Sequence, residues 1–167
     1  IMLVDGTLTV EKATMVLSEE LLASFSTNLV YDGTLHSITV TPPTLIGDAT
    51  VTIRYSASSE GPFTEENPAY KDVKDNEEPY TVYFTLSSDN YNTYTNAATV
   101  TITRRPVTLT SASATKTFDN TPLTAASDPT VTAGSWADGE GDVTFTMTGS
   151  QTVVGSSENT FDLTWSG

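Results

Sequence analysis

The 167 residues suffice for one large or two small domains. The 32 threonines and 17 serines favour β-strands over helices, because threonine is β-branched and suits a half-buried pleated surface. The net charge of -14 argues against a surface for nucleic acid or anionic membranes, since phosphates need cations opposite them. Without cysteine the chain has no disulfide, thiolate nucleophile or cysteine-bound zinc, and no apolar run approaches the roughly 20 residues of a membrane span.

Alternation of apolar and polar residues predicts many short strands. In chain order they are residues 7–12, 15–17, 36–40, 50–55, 69–73, 80–86, 97–103, 107–109, 116–118, 131–133, 143–147 and 161–165. Residues 18–25 are ambiguous, because Leu21, Leu22 and Phe25 fall on one helical face behind the potential cap Ser18. One or two turns of helix are compatible with this stretch.

One four-residue pattern occurs twice: an aromatic residue, an aspartate, a glycine or asparagine, and a threonine. We call it the aromatic–Asp motif; its copies are Tyr31-Asp32-Gly33-Thr34 and Phe118-Asp119-Asn120-Thr121. Glycine and asparagine tolerate positive φ best, and aspartate accepts hydrogen bonds from turn backbones. Both copies are therefore predicted to form the same turn.

A strand-like run also recurs: Thr7-Leu8-Thr9-Val10-Glu11-Lys12 resembles Thr99-Val100-Thr101-Ile102-Thr103-Arg104. Each run precedes an apolar stretch and then the aromatic–Asp motif. We therefore expect residues 1–13 to be the terminal strand of a preceding module, 14–104 a first β module, and 105–167 a truncated second one. The pattern predicts an all-β chain of two tandem antiparallel, immunoglobulin-like β-sandwich modules. The alternative is a pair of β-grasp-like modules with one short helix.

Residues that could perform catalysis are few. His36 is the only histidine and therefore the only base for a serine nucleophile, and no nucleophile-elbow pattern surrounds a serine. The pairs Glu65-Glu66 and Glu77-Glu78 lie in polar runs, where a solvated loop is the ordinary explanation. No enzymatic activity is predicted.

Two kinds of non-catalytic chemistry, metal binding and a covalent crosslink, each have a simpler alternative. Asp138, Glu140 and Asp142 could begin a calcium site, but the EF-hand pattern is incomplete and an acidic exposed turn is favoured. No other metal and no cofactor is predicted. Lys116 could form a covalent bond to an asparagine across a sheet, but an exposed lysine on a strand edge is favoured.

Aromatic side chains could form a sugar-binding platform, because sugar C–H groups pack on exposed rings. Tyr91 and Tyr94 flank a predicted hairpin tip, and Trp136 precedes a glycine-punctuated turn. These three are the candidate ligand-binding residues. Trp165 belongs to a strand pattern and is predicted to fill the core.

The order of several short runs is similar to that of the YDG/MBG-type tandem repeats of bacterial surface proteins. The runs are Tyr31-Asp32-Gly33-Thr34, Asn67-Pro68-Ala69-Tyr70, Tyr80-Thr81-Val82-Tyr83, Asp89-Asn90-Tyr91-Asn92, Ala98-Thr99-Val100-Thr101-Ile102, Arg105-Pro106-Val107-Thr108-Leu109-Thr110-Ser111-Ala112, Asp138-Gly139-Glu140-Gly141 and Thr148-Gly149-Ser150-Gln151-Thr152.

The resemblance implies non-catalytic extracellular modules that form a stalk or spacer in an adhesin-like protein on the surface of a Gram-positive bacterium. It implies neighbouring modules of the same polypeptide as partners, with no nucleic acid and no membrane insertion. It supplies no catalytic residues. The alternative is a module that binds glycan or host protein through aromatics at its hairpin tips.

Overall fold

The computed structural model describes Met2 and residues 4–165, with only the backbone of Asp48. The chain is mostly β-strand, in several sheets, with very little helix, as the sequence predicts. It divides into two compact units. Unit 1 comprises Ile1–Val30 and Thr34–Thr103, and unit 2 comprises Tyr31–Gly33 and Arg104–Gly167.

Unit 1 contains one four-stranded mixed sheet. Its elements are α1 (Glu19–Ala23), β1 (Thr27–Val30), β2 (Thr52–Ser56), β3 (Tyr80–Ser88) and β4 (Tyr91–Thr103). The strands lie in the order β1-β4-β3-β2, with β1 parallel to β4 and the other neighbours antiparallel. The parallel pairing sets Thr27 opposite Val100 and Val30 opposite Thr103. The first strand of the unit therefore lies against the end of the last one.

The core of unit 1 lies on one face of this sheet. Alternate residues of β3 and β4 supply it, because successive side chains of a strand point to opposite faces. They are Val82, Phe84, Leu86, Ala98, Val100 and Ile102. Residues outside the sheet complete the core: Met15, Phe25, Ile38, Val40 and Leu45. The rings of Phe25 and Phe84 meet edge to face with their centroids 5.6 Å apart, a favoured aromatic geometry.

The ambiguous stretch at residues 18–25 does contain a helix, the five-residue α1. The Ser18 hydroxyl caps it by accepting a hydrogen bond from the Leu21 amide at 3.2 Å. Leu21 and Leu22 are half-buried, and the chain reaches the core at Phe25 just beyond the helix. A helix this short needs tertiary packing to persist, and the buried Phe25 ring anchors its end.

Unit 2 consists of two separate strand pairs. Its strands are β5 (Val107–Thr110), β6 (Thr130–Gly134), β7 (Val143–Met147) and β8 (Phe161–Trp165). β5 pairs antiparallel with β6, and β7 pairs antiparallel with β8. Threonine hydroxyls join neighbouring strands directly: Thr110 with Thr132 and Thr148 with Thr160, each pair at 2.8 Å. Such cross-strand pairs give the abundant threonines a stabilising role.

Unit 2 buries far less apolar surface than unit 1. Among its described residues only Pro129 and Ala137 are buried. The alternate side chains of β7 and β8 that should form a core face are half-buried or more exposed, and Leu163 retains 43% of its surface. The apolar face of this unit is therefore incompletely covered.

The two aromatic–Asp motifs form turns of the predicted kind. Their third residues have left-handed backbones, Gly33 with φ 79° and Asn120 with φ 61°. In the second copy the Asp119 carboxylate accepts a hydrogen bond from the Thr121 amide at 2.9 Å, as expected of an Asx turn. In both units the residue two positions beyond the motif forms an antiparallel bridge: His36 with Tyr70, and Leu123 with Gln151.

Several strand predictions are wrong. Residues 36–40 and 69–73 pair only through the single bridge of His36 and Tyr70, and residues 15–17 and 116–118 form no strand. Alternation signals a strand only where a neighbouring strand is available to pair with it. The sequence also missed β1, whose partner in β4 lies more than 70 residues along the chain.

Residues 4–12 also form no strand in the described chain. Ala13 ends this segment and attaches it to the β3–β4 turn: its amide donates to Asn90 at 2.9 Å and its carbonyl accepts from Asn92 at 2.8 Å. The assignment of residues 1–13 to a preceding module stays a prediction.

Candidate functional site

The tyrosines of the β3–β4 hairpin serve the structure of unit 1. Tyr91 is only 8% exposed, and its hydroxyl accepts a hydrogen bond from the Ile46 amide at 3.1 Å. Tyr94 is half-buried, and its hydroxyl accepts from the Asn96 side chain at 2.8 Å. Tyr91 thus has no open ring face on which a sugar could stack.

Trp136 lies in an aromatic cluster of unit 2. Its ring meets that of Trp165 at a centroid distance of 5.2 Å and an interplanar angle of 61°. Gly141 lies against the Trp136 ring so closely that a Cβ there would come within 3.1 Å of it. Trp165 is 42% exposed rather than buried in a core, which corrects the sequence prediction for this residue. The two tryptophans of the chain therefore lie together, and the ring of Trp165 is partly open to solvent.

The three acidic residues of the 138–142 loop do not converge. In the described part of the chain, no three histidine or acidic side chains lie close enough together to hold a metal ion. The Glu140 carboxylate instead accepts a hydrogen bond from the Tyr31 hydroxyl, and the Glu140 amide donates to the Ala137 carbonyl at 3.1 Å. These bonds fix Glu140 within a turn, and Asp138 and Asp142 are not gathered around it.

The residues considered for catalysis all lie in unit 1. The His36 ring nitrogen Nε2 is 3.0 Å from the Thr34 hydroxyl. Glu65 lies 3.8 Å from Arg54 in an exposed ion pair, and Glu77 lies in the 3-10 turn Asp75–Glu77. Nucleophilic and general acid–base catalysis need a base within hydrogen-bond reach of its target. The contacts of Glu65 and Glu77 are those of an exposed ion pair and of a short turn.

Two half-buried tyrosines of unit 1 have raised pKa values. Burial raises the pKa of Tyr55. Burial also raises the pKa of Tyr70, and the neighbouring Tyr80 phenol adds to the effect. The Tyr70 and Tyr80 rings are stacked with centroids 4.0 Å apart. Both raised pKa values favour the protonated phenol, and for Tyr70 the protonated form is the one that stacks on Tyr80.

Lys116 does not lie on a strand but closes the second aromatic–Asp turn. Its ammonium donates to the Asp119 carboxylate at 2.7 Å, to the Thr121 hydroxyl at 2.6 Å and to the Pro122 carbonyl at 3.4 Å. Asp119 also accepts hydrogen bonds from the hydroxyl and amide of Thr121. The bond from Lys116, followed by those from Thr121, lowers the pKa of Asp119 from 3.8 to about 2. These partners of the Lys116 ammonium do not include an asparagine, as a covalent crosslink would require. Lys116 instead closes the turn through its ion pair and hydrogen bonds, an arrangement that we call the turn clasp.

Two adjoining cavities of unit 2 were not foreseen from the sequence. The larger, of about 600 Å³, lies between residues 111–114 on one wall and residues 157–161 on the other. The smaller, of about 330 Å³, lies along residues 114–116 and Phe118, opposite residues 151–157. Together they form a groove that follows residues 111–118, which we call the unit 2 groove. Only Glu158 and Lys116 contribute charged side chains to its walls.

Comparison with protein-family models, with curated proteins and with solved structures finds no match to this chain. Within Met2 and residues 4–165, no helix has the length and apolar character that a membrane crossing requires.

Proposed function

We propose that the chain is a pair of non-catalytic β modules that act as spacers in a bacterial cell-surface, adhesin-like protein. The observation that carries the proposal is the recurrence of one local geometry at two places in the chain. Each aromatic–Asp motif has a left-handed third residue. Each is followed, two residues on, by an antiparallel bridge with backbone bonds of 2.8–3.0 Å. Matching turns followed by matching bridges are what a duplicated module retains, and modules in series are the basis of spacer architectures.

The modules are proposed to be β-grasp-like rather than immunoglobulin-like sandwiches. Support comes from unit 1, where a single mixed sheet places its first and last strands side by side in parallel. An immunoglobulin-like sandwich instead packs two antiparallel sheets face to face. The capped helix α1, which leads directly into the buried Phe25, also fits the β-grasp-like alternative.

The charge and the surface chemistry suit a spacer. A net charge of -14 favours solubility and keeps neighbouring acidic chains apart. Threonine hydroxyls of unit 2 pair across strands on exposed positions, so the outer faces of the strands carry polar groups rather than apolar ones. Hydroxyl-covered strand faces are poor sites for nonspecific association.

A second candidate function, glycan or host-protein binding, is favoured by one observation. The indole pair Trp136 and Trp165 leaves 42% of Trp165 exposed next to an acidic loop. Exposed indoles provide the flat apolar surface on which sugar rings stack.

Force spectroscopy of the whole chain, tethered at both ends, tests the spacer proposal. Two independent modules should give two unfolding steps, with lengths of about 30 nm for unit 1 and about 20 nm for unit 2 at roughly 3.4 Å per residue. A single step of the combined length would contradict two independent modules.

Glycan-array binding separates the two candidate functions. A spacer should give no specific signal. Specific binding that is lost in Trp165→Ala but kept in Leu163→Ala would establish the binding module instead. Leu163 is the matched control because it lies two residues away on β8 and is 43% exposed.

A further inference from the structure

The phenol rings of Tyr70 and Tyr80 in unit 1 form a nearly parallel pair, which we call the tyrosine stack. Their centroids are 4.0 Å apart and their planes differ by 13°. The planes of such rings lie no further apart than the centroids, so carbon atoms of the two phenols are in van der Waals contact. Burial raises the pKa of Tyr70 and the Tyr80 phenol adds to this effect, so the two hydroxyl groups are close enough to interact.

Backbone and side-chain hydrogen bonds hold both members of the tyrosine stack in place. The Tyr70 amide donates to the His36 carbonyl, and the His36 amide donates to the Tyr70 carbonyl, both at 2.8 Å. Tyr80 begins β3, where it pairs with Val100 of β4. The Tyr80 hydroxyl donates to the Asp72 carbonyl at 3.0 Å. The two rings are therefore fixed neighbours and do not depend on a chance encounter.

The tyrosine stack is partly open to solvent. Tyr70 and Tyr80 are half-buried, whereas Tyr91 is only 8% exposed. The Lys74 ammonium lies over the Tyr80 ring, 5.3 Å from its centroid. A cation at this distance disfavours a positive charge on the ring. Oxidation of Tyr80 should therefore be accompanied by loss of its phenol proton to water, which leaves a neutral phenoxyl radical.

We propose that the tyrosine stack is a modification site, at which a small one-electron oxidant joins Tyr70 and Tyr80 into an intramolecular dityrosine. Each phenol loses one electron to the oxidant and its O–H proton to water. The two phenoxyl radicals then form a carbon–carbon bond between the Cε atoms that flank their hydroxyl groups. The hydrogen on each bonded Cε moves through water to the phenol oxygen, which restores both phenols. Each crosslink thus consumes two one-electron oxidising equivalents and releases two protons.

The stacked geometry favours coupling within one chain over coupling between chains. Groups held at reacting distance behave as if their concentration were far above that of a dissolved partner. The product would join β3 to the segment that carries Tyr70. Residues 69–73 pair with residues 36–40 through the single bridge of His36 and Tyr70, so a covalent bond would hold this segment after its hydrogen bonds open. The proposal does not depend on the role of the protein as a spacer.

Photo-oxidation of the full chain at low concentration tests the proposal, with persulfate and a ruthenium(II) sensitiser as the source of a small one-electron oxidant. The monomer should lose the mass of two hydrogen atoms and acquire the blue fluorescence of dityrosine. Trypsin cleaves after Lys71 and Lys74, so Tyr70 and Tyr80 lie in different tryptic peptides. These two peptides should be recovered as one linked species, whose fragment masses place the bond between Tyr70 and Tyr80.

Phenylalanine substitutions identify the coupled rings. Tyr70→Phe and Tyr80→Phe keep a ring in the stack but remove one oxidisable phenol. Each should lower the yield of crosslinked monomer about tenfold or more, because the remaining phenol then meets a partner only by diffusion. Tyr83→Phe is the matched control, since Tyr83 lies on the same strand β3 and is also half-buried. It should leave the yield unchanged, and circular dichroism before oxidation verifies that all three variants are folded.

Force spectroscopy gives a second measurement of the crosslink. After oxidation the unfolding step of unit 1 should shorten by about 3 nm, because residues 71–80 no longer extend at roughly 3.4 Å per residue. The number of unfolding steps should not change, so the outcome for the spacer modules is read separately.

Three results would overturn the proposal. One is dityrosine found mainly between chains, as a covalent dimer. Another is a yield of crosslinked monomer that is equal in Tyr70→Phe, Tyr80→Phe and the unaltered chain. The third is the absence of the linked tryptic peptides at an oxidant dose that converts free tyrosine to dityrosine in a parallel sample.

Discussion

Unit 1 and unit 2 each have an antiparallel bridge just after an aromatic–Asp motif but differ in how they are held together. In the described part of unit 1, seven large side chains are less than 2% exposed, and they belong to one sheet and the segments that cover it. Unit 2 has two strand pairs, and its apolar faces are half-exposed. The main structural difference is the long strand β4, which joins β1 to β3 in unit 1. The unit that has this central strand has a closed apolar core, whereas the described part of unit 2 has a partly exposed one.

The largest expected effect comes from removing a core ring of unit 1. Phe84→Ala should lower the free energy of unfolding of unit 1 by about 3–5 kcal/mol, because Phe84 is completely buried and contacts Phe25. Leu163→Ala in unit 2 should cost less than about 1 kcal/mol, since Leu163 is already 43% exposed.

Urea unfolding measures both substitutions. Both tryptophans lie in unit 2, so their fluorescence reports that unit, whereas far-ultraviolet circular dichroism reports both units. Equal losses in the two variants would show that unit 2 has a core as tight as that of unit 1.

A second test asks whether the strand pairs of unit 2 depend on backbone fit rather than on a core. Gly134 and Gly139 both have positive φ, 75° and 79°. A Cβ at Gly134 would collide with the Pro106 carbonyl beside β5, whereas a Cβ at Gly139 meets nothing within 4 Å.

Gly134→Ala should therefore destabilise unit 2 by about 3 kcal/mol, and Gly139→Ala by only about 1–2 kcal/mol from the left-handed backbone. Thermal unfolding followed by tryptophan fluorescence measures the difference. Equal effects would mean that the β5–β6 pair adjusts easily around the added methyl group.

The smallest expected effect concerns the turn clasp of unit 2. Because the pKa of Asp119 falls from 3.8 to about 2 on folding, its contribution is fully present above pH 3.8. The contribution is lost as the pH falls towards 2. Asp119→Asn should therefore make the stability of unit 2 less dependent on pH between 4 and 2. Acid unfolding of this variant, with the exposed Asp128→Asn as the control, measures the change in slope. If the stability of unit 2 depends on pH equally in Asp119→Asn and in the unaltered chain, the turn clasp does not contribute to that stability.

Strands with a local sequence signal are predictable, whereas elements that depend on distant partners are not. The strands at residues 143–147 and 161–165 were predicted with their observed bounds, because alternation along a hairpin is a local property. Residues 116–118 alternate less clearly and form no strand, since pairing depends on a partner elsewhere. Trp165 was assigned to the core because a pattern identifies a face but not whether anything covers it.

The candidate sites show the same limit. The sequence placed Glu140 in an acidic turn but had no signal for its hydrogen bond to Tyr31, 109 residues away. It singled out Tyr91 at a hairpin tip, yet Tyr91 is buried because its hydroxyl reaches the Ile46 amide across the fold. The unit 2 groove is lined by residues 111–118 and 149–161, which are far apart in the chain, so no single segment of sequence displays it.

The attachment of Ala13 to the β3–β4 turn has a practical consequence. Lys12 is exposed and immediately precedes the residue at which the chain becomes fixed to the sheet. Trypsin cleaves after lysine, so limited digestion is expected to detach the leading peptide at Lys12. The rate of that cleavage would report how freely the peptide bond after Lys12 opens, because a protease needs a locally unfolded segment.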